Sequence, residues 1–190
     1  DPPEAVSIER TLPGVLCVRV PEARRDTGFR AASALRILES LAAFVKAQPD
    51  FDLRRIPMED FIPRMAGMDA RFSTTVYAQL VSRDLCRDAL QLLENEVGFD
   101  DDHIGELLDG SHEMLRDYLG YNEPRMERLI EAAVGGGALG CKVIPDVGGF
   151  ICFAPSRESD VSSALREAGG EVHFAAISDG VRVEEIRKGN

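Results

Sequence analysis

Lys142, Asp146, Gly148 and Gly149 lie within eight residues of chain, in the run Gly137-Ala138-Leu139-Gly140-Cys141-Lys142-Val143-Ile144-Pro145-Asp146-Val147-Gly148-Gly149-Phe150. Adjacent glycines leave backbone N–H groups uncovered, and such groups receive anions. A lysine in an otherwise apolar strand can neutralise a phosphate, or it can point outward from a half-exposed strand. The same two glycines also suit an ordinary hairpin turn. The residues alone leave both readings open.

Other clusters carry less. Asp109, Ser111, His112 and Asp117 contain the residue types of a hydrolytic triad. Ser111 and His112 are adjacent on a helix, however, and diverge by about 100°. His112 is better read as a hydrogen-bonded packing residue. Arg24 and Arg25 make a small basic patch that suits an anion or a neighbouring acidic loop. Asp100-Asp101-Asp102 lacks the spaced ligands and closing glutamate of a calcium loop, and it suits a helix N-terminus instead. His103, His112 and His173 show no zinc-ligand spacing. Cys17, Cys86, Cys141 and Cys152 form no C-x-x-C pair, and Cys17, Cys141 and Cys152 read as reduced core residues of a cytoplasmic protein.

The elements that must position these groups follow from periodicity. Met126, Leu129, Ile130 and Ala133 recur at helical spacing, and Leu139, Cys141 and Val143 alternate as in a strand. The central stretch therefore reads helix, glycine break, strand, tight loop, strand, with Asn122 as helix cap. Upstream, residues 15–20 form a buried strand. A helix is expected over 29–47, started by Asp26 or Thr27, with Ala31, Leu35, Leu38, Ala42 and Val45 inward. One or two turns at 57–62 precede a long helix over 69–95, closed by Gly98. A further helix runs from 101 or 102 to 119 and ends at Gly120. Downstream, Ser156 caps a helix with Val161, Ala164, Leu165 and Ala168 inside. A strand follows over 172–177, then a turn at Ser178-Asp179-Gly180 and a last strand over 181–183. Strand pairs joined by tight loops give an α+β fold: a mainly antiparallel sheet with helices packed on one face, plus a helical N-terminal part. Residues 1–190 are expected to form a single lobe.

Composition narrows the partners. The chain has 190 residues with 22 basic and 33 acidic side chains, a net charge of −11, which disfavours a nucleic-acid or anionic membrane surface. No apolar run approaches the ~18 residues of a membrane span. The start, Asp1-Pro2-Pro3-Glu4, does not read as a signal peptide, and it lacks an initiator methionine, as in a piece of a longer protein. We expect a cytoplasmic protein with no nucleic-acid or membrane partner.

Three ordered segments resemble the C-terminal half of the galactokinase branch of the GHMP sugar and metabolite kinases. Gly110-Ser111-His112-Glu113-Met114-Leu115-Arg116-Asp117-Tyr118 is similar to that family's E-S-H-x-x-L-R-D-x-Y, and it leads into Asn122-Glu123-Pro124-Arg125-Met126, like the family's x-x-P-E-L. Gly137-Ala138-Leu139-Gly140-Cys141-Lys142-Val143 is similar to G-A-L-G-A-K-L, which enters the third motif. Ile177-Ser178-Asp179-Gly180-Val181-Arg182-Val183 looks like the closing I-S-D-G-A-R-V. Weaker similarity extends through 71–93 and back to Val15.

The resemblance implies a GHMP kinase C-terminal-like fold and phosphoryl transfer from Mg-ATP to a sugar hydroxyl. It implies that the glycine-rich ATP loop and the catalytic aspartate lie in an N-terminal lobe, since nothing here matches P-x-x-x-G-L-S-S-S. No catalytic or metal-binding residue is assigned to this chain, which alone is expected to be inactive. Lys142, Asp146, Gly148 and Gly149 would stand at the ATP phosphates, and Phe29 nearest the sugar. Two departures matter. Where the family continues T-G-A-G-G-G-G, this chain has Ile144-Pro145-Asp146-Val147-Gly148-Gly149-Phe150, and Pro145 removes a backbone donor. Where galactokinases carry a sugar-contacting tyrosine, Phe29 has no hydroxyl. The second reading is accordingly a non-catalytic, kinase-derived module that binds a metabolite or a protein. A plain scaffold is a third.

Overall fold

The computed structural model describes residues 12–21, 27–94 and 100–175. Expectations at Arg24, Arg25, Asp26 and Gly98, and for the strands and turn beyond 175, lie outside the described residues.

β1 (Val15–Arg19), β2 (Gly140–Ile144), β3 (Gly149–Phe153) and β4 (Glu171–Phe174) form one sheet in the order β2-β3-β1-β4, with every neighbouring pair antiparallel. β1 thus lies between β3 and β4, and β3 between β1 and β2. This is the interleaved, split βαβ arrangement. Its two crossover helices are α5 (Pro124–Gly136) and α6 (Glu158–Glu167). Both pack on one face: Met126, Leu129, Ile130 and Ala133 of α5, with Val161 and Leu165 of α6, share a buried cluster with Leu16, Val18, Cys141, Val143, Phe150 and Cys152. The helical period of one set and the alternation of the other meet there, as the spacing predicts.

The first crossover carries a large helical insertion: α1 (Thr27–Ala47), α2 (Met58–Phe61), α3 (Ala70–Glu94) and α4 (Asp101–Glu113). α1 packs against α3 around a second core of Phe44, Phe51, Ile56, Phe61, Val76 and Leu80. The rings of Phe44 and Phe51 stand 4.3 Å apart, centroid to centroid. α4 starts on Asp100, whose carboxylate accepts from the Asp102 N–H, and it ends in a π-helical turn over Met114–Tyr118 before Gly120 reverses the chain at φ +80°. A turn wider than the α-helix breaks the continuous helix expected to 119.

Further expectations need correction. On α1 it is Ser33, Ser40 and Phe44 that are buried, while Leu35, Leu38, Ala42 and Val45 face outward. The Ser40 hydroxyl donates to the Arg36 carbonyl, so its burial leaves no unpaired group. Cys17 is exposed, because it sits between the inward Leu16 and Val18 on the opposite side of the pleat. α5 is capped by Glu123, whose carboxylate accepts from the Met126 N–H at 2.7 Å, and Asn122 is exposed. α6 has no side-chain cap from Ser156; its N-cap position is Arg157, and Ala168 is the exposed C-cap rather than an inward residue.

Candidate functional site

The loop singled out by sequence is the tip of the β2–β3 hairpin. Pro145–Val147 form one 3₁₀ turn, and Gly148 follows in the left-handed region at φ +65°, a backbone state costly for a residue with a Cβ. The Gly148 N–H donates back to the Pro145 carbonyl at 3.3 Å, and the Gly148 carbonyl accepts from the Val20 N–H at 3.1 Å. Gly149 is required for another reason. It lies opposite Arg19 and Ile144 in the ladders, and a Cβ there would stand 2.3 Å from the Val18 carbonyl oxygen. One glycine makes the turn, and the other lets β3 approach β1.

The five sequence-predicted residues are thus placed as follows. Asp146 is in the turn, and its side chain is outside what the structure describes. Phe29 is on α1, its side chain likewise outside the description, and α1 as an element packs against the turn. Gly148 and Gly149 form the tip. Lys142, opposite Ile151 in mid-strand, lies on the sheet face away from α5 and α6. It lines a separate cleft bounded by α3, α4 and that face.

Sequence reasoning missed how α4 is fixed to the hairpin. β2 is an edge strand, and an open edge is an unpaired row of donors and acceptors. Asp109 of α4 accepts from the Cys141 N–H at 2.7 Å and so closes part of that edge. The helix comes this close because Gly105 faces Leu139 and Gly140: a Cβ on Gly105 would meet the Leu139 carbonyl at 2.3 Å. The one available signal was a glycine in mid-helix, where it ordinarily costs stability.

The neighbouring polar groups are structural. His112 is buried, and its Nε2 lies 3.2 Å from Oε1 of Glu127 on α5. Arg116 is bonded to Asp117 by two parallel contacts of 2.7 and 2.9 Å, and this hydrogen bonding holds the Asp117 carboxyl below its usual range. Among the described residues, no serine–histidine pair forms. Cys141 and Cys152 face each other across the strands, and their hydrogen bond and burial push the Cys141 thiol far up, keeping it neutral and inert. Among the described residues, no three His, Cys, Asp or Glu side chains gather as a metal set, and no helix is long and apolar enough to cross a membrane.

No family model matches the chain. Over 100 residues, 51% of its length, it is 38% identical to the mevalonate kinase of Thermococcus onnurineus. Over 97 residues it is 35% identical to that of Thermococcus gammatolerans. These stretches make up 29% and 28% of the two proteins, so the chain spans less than a third of the curated relatives it matches. Among solved structures, Lactococcus lactis galactokinase complexed with galactose matches 90% of this chain and 46% of its own with a TM-score of 0.69. At 19% identity that likeness shows the fold alone. The resemblance to GHMP kinases is borne out in sequence by the mevalonate kinases, and the expected α+β fold by the galactokinase neighbour.

Proposed function

We propose that this chain is the C-terminal part of a GHMP-type kinase that transfers a phosphoryl group from Mg-ATP to a hydroxyl of a small metabolite. The observation that carries the reading is the agreement of two independent likenesses, one in sequence to mevalonate kinases and one in fold to a galactokinase. The acceptor is a sugar, as the sequence motifs suggested, or a hydroxy acid of the mevalonate kind. Phe29 in place of a tyrosine weighs against galactose itself.

Phosphoryl transfer depends on positioning and charge neutralisation. When bound, Mg-ATP supplies the transferred group and much of that neutralisation. The described backbone of the hairpin tip does not fit a phosphate cradle by itself. Pro145 has no N–H, the Gly148 N–H turns inward, and Gly149 is committed to the sheet. This chain would therefore contribute a wall of the site, with the tip set by α1 and by β1, while the base and the main phosphate donors come from a preceding lobe.

The same tip favours the second reading, a kinase-derived module without catalysis. The test is ADP release by the longest natural polypeptide containing this chain, with Mg-ATP and a panel that includes mevalonate, galactose and other sugars. Turnover with one acceptor is expected. A folded protein that turns over none of them moves the assignment to the binding module.

A further inference from the structure

The cleft that Lys142 lines has a volume of about 360 Å³, within the ~300–1,000 Å³ range of small-molecule sites. Its walls are Leu85 of α3, Leu107 and Leu108 of α4, and Ile151 and Phe153 of the sheet face that α5 and α6 leave uncovered. Lys142 and Ser111 are the polar residues of this apolar lining, and among the described residues no Asp or Glu joins it. The chain carries 33 acidic against 22 basic side chains, so carboxylates are plentiful. Lys142 nevertheless makes no ion pair among the described residues, although its neighbours on the strand are buried. Lys142 is half-buried, so an anion in the cleft would meet an unpaired cation and make a charge-assisted hydrogen bond with it.

We propose that this cleft binds a small amphiphilic carboxylate, its head group on Lys142 and Ser111 and its apolar body along Leu85, Leu107, Leu108 and Phe153. A single cation matches one negative charge. A phosphate dianion would remain undercompensated between apolar walls. A neutral or cationic head gains nothing from the ammonium. The proposal does not depend on the kinase reading, because the cleft lies on the sheet face in mid-strand rather than at the hairpin tip.

The test is calorimetric titration of the full chain with decanoate, decanol and decyltrimethylammonium, all below their micellar ranges. Decanoate is expected to saturate at one molecule per chain. The two other probes should bind about 10- to 100-fold more weakly, the range of a charge-assisted hydrogen bond. Lys142→Met should reduce decanoate binding to the level of decanol and leave decanol unchanged. Leu108→Trp, which fills the cleft, should weaken both. Three results each overturn the proposal: no saturable decanoate binding, as when another part of the protein fills the cleft; decanol binding as tightly as decanoate; or decanoate affinity unchanged in Lys142→Met. If circular dichroism shows that Lys142→Met does not fold, the head-group comparison on the unaltered protein decides. None of these readouts requires phosphoryl transfer.

Discussion

Arg83 is the most fully committed charged side chain of the helical insertion. Its side chain is 14% exposed. Nη1 donates to the carbonyls of Leu53 and Ile56 at 2.6 and 2.8 Å, and Nε and Nη2 hold Asp84. Arg87 adds a bond to the Arg54 carbonyl. Together they fasten the irregular segment after α1 to α3 and keep Phe51 and Ile56 in the second core. Replacing Arg83 by methionine retains most of the apolar stem and strips two carbonyls of their donor. Urea unfolding should show a loss of about 1–3 kcal/mol; a loss within error would mean that water replaces the guanidinium. This role was not legible in the sequence, since its partners are backbone atoms 27 and 30 positions away. His112 was more legible. Its adjacency to Ser111 excluded a catalytic pair, and its burial beside Glu127 is the packing role expected.

At the scale of elements, α5 and α1 show when periodicity suffices. The α5 stripe of Met126, Leu129, Ile130 and Ala133 is buried as read, because the sheet offers the helix one broad apolar face. In α1 the stripe Leu35, Leu38, Ala42 and Val45 is also helically spaced but faces away from the core. Phe44 sets the rotation: its stacking with Phe51 and Phe61 buries more surface than any leucine of the helix and takes Ser40 inward with it. Those two rings come from an irregular segment and a four-residue helix, which no helix-by-helix reading connects. The hairpin was legible as an element, whereas the division of labour between its glycines was not, since that depends on where β1 lies. That division can be measured. Gly148→Ala should cost about 1 kcal/mol, the strain of an L-residue in the left-handed region. Gly149→Ala should cost more, about 2–3 kcal/mol, because the Val18 carbonyl cannot yield without moving β1. Thermal unfolding of the two variants ranks them; equal losses, or the reverse order, would show that β3 can shift away from β1.

For the molecule as a whole, the outward stripe of α1 is the feature that the described fold leaves without a purpose. Leu35, Leu38 and Val45 are 58, 65 and 44% exposed, aligned along one side of a 21-residue helix. Scattered exposed leucines need no explanation, but an aligned row marks a surface that something covers. The parts that match amount to 46% of the galactokinase chain whose fold it shares and to 29% of a mevalonate kinase, so a preceding lobe is the natural cover under the proposed function. The 190-residue chain on its own should then self-associate through this face. Sedimentation velocity at increasing concentration should show the unaltered chain moving toward dimers or larger species. Leu38→Glu should remain monomeric, with the unfolding midpoint that the unaltered chain shows when dilute enough to be monomeric, because a side chain already in water gives up no packing. The longest natural polypeptide distinguishes the cover from mere stickiness. There Leu38→Glu should lower stability, by about 1–3 kcal/mol for a charge placed in an apolar contact, since the face would be buried. No loss in that longer protein would mean that the stripe stays open there and that any preceding lobe meets this chain elsewhere.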